Sequence, residues 1–178
     1  MASPTKPRKA RSFGKKPWNF VPAGADINNP TLTELNAATG INVSCALLAS
    51  FSGLGSEPSK VDLPAFLCET ETYEANGTRK VSMGNIEAGV DPQAAAASEG
   101  KKAYEFFENG FAGWAWTAPG LDAKTHSAAT ATDFVTIVPV EVDDAFVTES
   151  GEGEGAIFSF TAGVSVTGPI AQLVQPTA

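Results

Sequence analysis

Hydrophobic and polar positions alternate over several short stretches of this chain, which predicts β-strands. Residues 41–47 and 156–167 each place apolar side chains at every second position, the period of a half-buried strand. Residues 133–147 carry apolar side chains on both predicted faces and therefore predict a strand that is buried on both sides. Trp114 and Trp116 stand two positions apart, so we expect both rings on one face of another strand, within the core.

Turn signals separate these stretches. Asn76-Gly77, between residues 70–75 and residues 78–83, predicts a β-hairpin closed by a two-residue turn. One region has helical spacing instead, because apolar residues of the segment 98–108 recur on one face and Asn109-Gly110 follows as a stop signal. The sequence thus predicts a single short helix.

The whole pattern predicts a mainly β fold. We expect a β-sandwich or barrel of about seven strands with one flanking α-helix, because short strands separated by turns must bury their apolar faces against a second layer. Residues 1–40 contain five prolines and no regular period, which predicts an extended N-terminal arm. We then expect the sandwich domain, with its helix near 98–108, over residues 41–168 and a C-terminal tail over residues 169–178.

Charge is divided unevenly along the chain. Residues 1–16 hold six basic residues and no acidic one, whereas the remaining residues hold all 20 acidic residues, and the net charge of the protein is −8. Neutralising phosphates requires Lys or Arg, so the acidic body is poorly suited to binding nucleic acid, and its field repels a polyanion. The composition therefore favours a protein whose acidic part, after residue 16, does not bind DNA and would let DNA pass along it.

The arm and the tail combine basic and apolar side chains, which need a surface on which to dock. We expect contacts between subunits at six positions: Lys15, Lys16, Trp18, Phe20, Ile170 and Leu173. Two alternatives stay open, since the arm is equally compatible with packing on its own domain, and its basic part with a solvated tail. Nucleic-acid binding is a third alternative, although the arm holds no folded element that reads bases.

The sequence contains no strong catalytic or metal-binding pattern. The acidic clusters lie on predicted strand faces or in a glycine loop, not in a shielded pocket that would push two carboxyl pKa values apart. The spacing Glu141-x-Asp143-Asp144 is too short to define a calcium loop, and the only histidine, His126, lies in a loop of small residues. The sequence has no P-loop, GxGxxG, HExxH or CxxC motif. We therefore expect no enzyme activity, no cofactor and no metal.

Four strings, in order along residues 14–174, resemble the major tail tube proteins of long-tailed bacteriophages of the siphophage type. They are Gly14-Lys15-Lys16-Pro17-Trp18-Asn19-Phe20-Val21-Pro22, Thr31-Leu32-Thr33-Glu34-Leu35-Asn36, Thr72-Tyr73-Glu74-Ala75-Asn76-Gly77 and Gly100-Lys101-Lys102-Ala103-Tyr104-Glu105. The resemblance implies a β-sandwich with a flanking helix whose copies form hexameric rings. These rings would stack into a hollow tube that encloses a tape measure protein and conducts DNA during genome delivery.

The resemblance also implies partners and a location. The partners would be other copies of the chain, the tape measure protein, tail terminator and baseplate proteins, and DNA in transit without specific binding, with no membrane. The protein would lie in the tail tube of the virion after assembly in the cytoplasm of the bacterial host. We expect acidic residues to face the bore of such a tube, where they would repel DNA phosphates: Glu69, Glu71, Glu74, Glu141 and Asp143.

A second class of function shares the strand pattern. A capsid decoration protein or an adhesin-like binding module is also a β-sandwich, but it would remain a monomer or a trimer. Electron microscopy of the purified protein distinguishes the two hypotheses, because only the first predicts long hollow tubes.

Overall fold

The computed structural model describes residues 14–64, 74–95, 97–150 and 156–178, and this part of the chain is mainly β, as predicted. It contains eleven strands and two short helices. In chain order they are β1 Trp18–Val21, α1 Leu32–Leu35, β2 Ile41–Asn42, β3 Leu54–Asp62, β4 Glu74–Met83, β5 Ile86–Gly89, α2 Glu99–Phe107, β6 Phe111–Thr117, β7 Val135–Val142, β8 Phe146–Ser150, β9 Ile157–Ala162, β10 Val164–Val166 and β11 Ala171–Val174. Neither described helix has the length and apolar character that crossing a bilayer requires.

The largest sheet has six antiparallel strands in the order β10-β7-β6-β1-β2, with β11 also paired to β7. Strand β7 is buried on both faces along most of its length, which confirms the predicted burial for residues 135–142. The predicted strand over 133–147 is longer than the observed one, because Phe134 precedes β7 and is exposed, and residues 143–145 separate β7 from β8, which belongs to another sheet. Trp114 and Trp116 lie buried on one face of β6, as predicted. Strand β1, which the sequence analysis placed in the arm, is an inner strand of this sheet, between β6 and β2.

A second sheet, β5-β9-β8, packs with α2 against one face of the large sheet. Phe20 from β1 meets Phe107 from α2 with ring centroids 5.0 Å apart and edge to face, and Phe160 from β9 joins the same buried cluster. Helix α2 begins after Ser98 and ends before Gly110, whose φ is +73°. The predicted helix near 98–108 and its stop signal are therefore confirmed.

The opposite face of the large sheet is covered by α1 and the loop that precedes β7. Trp116 donates a hydrogen bond from Nε1 to the carbonyl of Leu35, 3.0 Å away. Helix α1, which the sequence analysis did not predict, is nucleated by a capping box: the Thr31 hydroxyl accepts from the Glu34 N–H, and the Glu34 carboxylate accepts from the Thr31 N–H. The Thr-x-x-Glu spacing is the sequence signal for this helix.

The predicted turn at Asn76-Gly77 is wrong. Both residues lie inside β4, which pairs with β3 so that the register shifts by one residue near Ser59. A side chain on Gly77 would collide with the Ser59 hydroxyl, and that hydroxyl donates to the carbonyl of Thr78. Glycine is therefore present to accommodate a β-bulge, and the segment 65–73, where the strands connect, lies outside the described residues.

The predicted strand over residues 41–47 is shorter in the structure. Only Ile41 and Asn42 extend the sheet, and the chain then turns, because the Asn42 carboxamide accepts a hydrogen bond from the backbone N–H of Ser44 at 3.0 Å. This Asx turn ends the pairing of β2 with β1, although the Val43 N–H still donates to the Trp18 carbonyl at 3.0 Å. The Ser44 hydroxyl in turn accepts from the backbone N–H of Trp18 at 2.8 Å.

Residues 156–167, predicted as one strand, form β9 and β10, which belong to different sheets. Gly163 lies between them and accepts a hydrogen bond from the Asp143 N–H at 2.9 Å. A Cβ on Gly163 would stand 2.6 Å from the Asp143 carboxylate. Asp143 lies in the connection from β7 to β8, and Gly163 lies in the connection from β9 to β10. Both connections lead from one sheet to the other, and they run side by side here.

Candidate assembly surface

Strand β8 forms an edge of the second sheet and pairs only with β9 among the described strands. An edge strand presents unpaired N–H and C=O groups that are able to pair with another chain. The edge also carries apolar side chains, since Phe146 is 72% exposed and Phe158, on the neighbouring β9, is 53% exposed. Together these features make the β8–β9 edge a candidate surface for self-association.

The register shows how these aromatic residues are arranged. Phe146 stands opposite Thr161, and Phe158 opposite Glu149, so the two rings project from opposite faces of the sheet. Phe158 shares its face with Phe160, which is fully buried beneath α2. The face is thus covered near Phe160 and left open near Phe158.

Strands β3 and β4 form a separate two-stranded ribbon whose side chains are almost all exposed. At its far end Val61 and Leu63 are exposed apolar residues. A two-stranded hairpin is at best marginally stable in water, and nine residues of strand extend roughly 30 Å. The ribbon is therefore a second candidate surface for contact with another subunit.

The predicted docking residues are distributed between core and surface. Phe20 is fully buried and Trp18 nearly so within their own chain, which agrees with the alternative that the arm packs on its own domain. Ile170 packs at the margin of the same core. Leu173 is 60% exposed and has a φ of +54°, so the structure holds a large apolar side chain outward on a strained backbone. A docking role is therefore retained only for the exposed members of the set.

Of the two basic docking residues, Lys16 is exposed. The ammonium of Lys15 lies 2.6 Å from the Asp122 carboxylate and, by this hydrogen bond, holds the pKa of that carboxyl group below its ordinary value. The backbone around Lys15 is also fixed, since Gly120 donates to the Lys15 carbonyl and Ala123 to that of Gly14. Gly14 and Lys15, where the described residues begin, are thus attached to the loop 120–123.

Three of the five acidic residues predicted to face a bore are described, and all three are exposed: Glu74, Glu141 and Asp143. Glu74 pairs with Lys60 near the far end of the ribbon. Glu141 and Asp143 lie beside Gly110 around an open cavity of about 570 Å³, where β6 begins and β7 ends. The structure therefore does not bring these carboxylates into one cluster, and Glu69 and Glu71 lie outside the described residues.

Within the described ranges, no group of three His, Cys, Asp or Glu side chains is arranged to hold a metal ion. His126 lies with its Nε2 3.1 Å from the Asp133 carboxylate, and both side chains are largely covered. The Thr130 N–H donates to the same carboxylate at 2.7 Å. The hydrogen bond from Thr130 to Asp133 holds the loop before β7 together.

The sequence analysis missed the exposed aromatic residues of the β8–β9 edge. It assigned Phe158 to the inward face of its strand and did not single out Phe146. The available signal was Phe146 itself, a large apolar residue that directly follows the Asp143-Asp144-Ala145 break in the alternation.

The chain was compared with protein families and with curated proteins. A scan against models of protein families matches residues 3–178 to the family described as Phage tail tube protein. A search of curated proteins found no match to the chain.

Proposed function

The chain belongs to the family of phage tail tube proteins, and on that premise we propose that its copies close into hexameric rings that stack into the tube. Membership of the family makes the protein a structural component of the virion that self-assembles in the phage tail. The proposal adds the sixfold ring, the siphophage type of tail and the conduction of DNA through the bore.

The observation that carries the proposal is the free edge of β8 with Phe146 exposed beside it. A second subunit that pairs with this edge continues the sheet and covers the aromatic ring. A head-to-tail contact of this kind closes into a ring when a whole number of identical rotations from subunit to subunit adds up to one full turn. Otherwise it forms an open filament. The β8–β9 edge therefore supplies the contact around the ring.

Stacking of rings requires a different surface, and the β3–β4 ribbon provides one. It extends from the body, is exposed on both faces, and gains stability when it packs on another subunit. Lys16 and Leu173, which are exposed, are further candidates for contacts between subunits. Many weak contacts of this kind add up to a stable tube, because each one is formed at a high effective concentration once its neighbours are in place.

We further propose that Glu141 and Asp143, with Glu69, Glu71 and Glu74, face the bore. Exposed carboxylates there would repel the phosphates of passing DNA and so leave it unbound. Determination of the tube structure by electron cryo-microscopy tests this assignment. A bore lined by neutral or basic side chains contradicts it and leaves the tube itself intact as a proposal.

The remaining parts of the proposal follow from a role as a tube. The bore holds the tape measure protein, the ends of the tube contact the tail terminator and the baseplate, and assembly takes place in the cytoplasm of the bacterial host. The protein acts without catalysis, cofactor or metal. The family match favours this function over a capsid decoration protein or an adhesin-like module.

Electron microscopy of the purified protein tests the proposal directly. We expect long hollow tubes with sixfold rings, whereas discrete monomers or trimers under all solution conditions would contradict it. Replacing Phe146 by Lys puts a charge on the proposed ring contact. Since burial of a Phe ring stabilises by about 1.5–3 kcal/mol, the protein concentration needed for tube formation is expected to rise about tenfold or more.

Phe134 provides the matched control. It is also an exposed phenylalanine but precedes β7, away from the β8 edge. Phe134→Lys is expected to leave tube formation unchanged within about threefold. An equal loss in both variants would show that surface hydrophobicity, and not the β8 edge, drives the association.

A further inference from the structure

In residues 4–13 an apolar residue recurs at every third position. Pro4, Pro7, Ala10 and Phe13 are apolar and three positions apart. A polyproline II helix has three residues per turn, so in that conformation these four side chains would form one apolar edge. The other two edges would then carry the basic residues, which are Lys6 and Lys9 on one and Arg8 and Arg11 on the other.

The body of the protein carries a groove with the matching character. It lies between α2 and β8, has a volume of about 340 Å³, and is lined by apolar parts of Val90, Pro92, Tyr104 and Val147. Aromatic-lined grooves are the usual binding sites for proline-rich segments in the polyproline II conformation, because such a segment loses little entropy on binding. Phe158 lies next to this groove, since it is on the same face of the sheet as Val147 and its carbonyl accepts a hydrogen bond from the Val90 N–H.

Carboxylates border this groove. Glu105 and Glu108 line it from α2, and Glu149 follows on the same face of β8 as Val147. The one lysine that lines the groove, Lys101, directs its ammonium to the Ala94 carbonyl at 3.2 Å. Among the described residues, neither Glu105 nor Glu108 forms an ion pair. The border of the groove is thus acidic and available to a basic ligand.

The segment is long enough to reach another subunit. It extends from Gly14, which is held at Ala123, and thirteen residues of polyproline II helix span about 40 Å. That length is comparable to the diameter of a body of this size, whose radius of gyration is about 16 Å. An arm that leaves its own subunit can therefore contact the next one.

We propose that residues 4–13 of one copy bind, in polyproline II conformation, in the groove between α2 and β8 of a neighbouring copy. Pro4 and Pro7 contact Tyr104 and Val147, while the basic edges face the carboxylates at the border. The proposal rests on the proposed self-assembly and names a second contact for it, next to the β8 edge.

Mixed-isotope cross-linking of the full-length protein tests this contact. Unlabelled and ¹⁵N-labelled protein are mixed, allowed to assemble, and treated with a carbodiimide, which joins an amine to a carboxylate only when the two are in contact. We expect linked peptides that join Lys6 or Lys9 to Glu105 or Glu108, with one labelled and one unlabelled partner in about half of them. Tubes without such links, or links confined to a single isotope, would overturn the proposal.

A charge-exchange experiment distinguishes a direct contact from a structural effect. The double variant Glu105→Lys and Glu108→Lys, and the double variant Lys6→Glu and Lys9→Glu, are each expected to raise the protein concentration needed for assembly about five- to tenfold. The quadruple variant is expected to assemble at a concentration within about threefold of the wild type. Failure of the quadruple variant to recover would contradict the contact.

Glu99→Lys serves as the control, because Glu99 is exposed on α2 but outside this groove. We expect it to leave assembly unchanged, and an equal loss there would show that overall charge is responsible. The outcomes also separate the two proposals. A wild-type protein that forms no tubes contradicts the proposed function, while the isotope-mixed links still decide whether the arm binds a neighbouring copy.

Discussion

At the scale of single residues, Phe20 and Phe146 show how burial decides the role of a phenylalanine. Phe20 is fully buried against Phe107, so Phe20→Ala is expected to lower the free energy of unfolding by about 3–5 kcal/mol. Phe146 is exposed, and Phe146→Ala is expected to change the same quantity in the monomer by less than about 0.5 kcal/mol. Chemical denaturation of both variants at concentrations below assembly measures the difference. A small effect at Phe20 would contradict its place in the core.

Glu34 makes stability depend on pH. The Thr31 N–H, the Ala25 N–H and the Thr31 hydroxyl all donate to its carboxylate and hold the pKa of Glu34 below its ordinary value. A lowered pKa in the folded state stabilises the protein above the ordinary value, which is about 4.3, and this contribution is lost as the pH falls through the lowered pKa.

The Glu34→Gln substitution tests this dependence. The variant is expected to be less stable than the wild type by under about 1 kcal/mol near neutral pH. The difference should begin to shrink below a pH of about 4.3, where the Glu34 carboxylate of the unfolded chain takes up a proton, and should go on shrinking until the pH has passed the lowered pKa of the folded state. Denaturation curves between acidic and neutral pH measure it, with Glu108→Gln at an exposed helix end as the control. A difference that does not vary with pH would contradict a role of the charged form.

At the scale of secondary-structure elements, the packing of α2 on β5 depends on Gly100. A Cβ on this residue would collide with the Gly89 carbonyl and press on the Val90 backbone. Alanine favours a helix over glycine by about 0.5–1 kcal/mol, but the collision is with backbone, which is costly to displace. Gly100→Ala is therefore expected to destabilise the protein by about 1–3 kcal/mol.

Thermal or chemical denaturation checks this prediction, and Lys102→Ala, on an exposed position of the same helix, is the control. The control is expected to alter the free energy of unfolding by less than about 0.5 kcal/mol. A stabilising effect of Gly100→Ala would mean that α2 does not pack on the end of β5 as the structure shows.

The elements that the sequence predicted correctly are those with a purely local signal. Strand β7 shows apolar residues on both faces, and α2 has helical spacing followed by Gly110 at a positive φ. The errors arose where a distant residue decides the local structure. Gly77 was assigned to a turn because its contact with Ser59 is not visible in the sequence near it. The break at Gly163 likewise depends on Asp143, twenty residues earlier in the chain.

The candidate surface was harder to predict than the fold. Alternation correctly placed Phe158 and Phe160 on one face of β9, yet it does not show where the covering helix ends. The structure shows that α2 covers Phe160 and leaves Phe158 exposed. For Trp18 and Phe20 the sequence left two alternatives open, since a position between prolines is compatible with docking on a neighbouring subunit or on the same domain. Their register with β6 places them in the core of their own chain.

At the scale of the whole molecule, the contrast between a buried body and an exposed ribbon predicts how assembly changes local stability. The amides of β7 lie in the centre of the large sheet, whereas β3 and β4 pair only with each other among the described strands. An isolated two-stranded ribbon opens easily and exchanges its amide hydrogens fast. In the assembled tube, a ribbon that packs on a neighbouring subunit opens only when that contact breaks.

Amide hydrogen exchange measured on monomers and on tubes tests this expectation. We expect exchange in residues 54–62 and 74–83 to slow by about tenfold or more on assembly, which corresponds to about 1.4 kcal/mol of added local stability. Exchange in β7 should be slow in both states, and it serves as the internal control. If the ribbon exchanges equally fast in tubes, then it remains exposed there, and the stacking of rings must depend on the arm and the C-terminal residues instead.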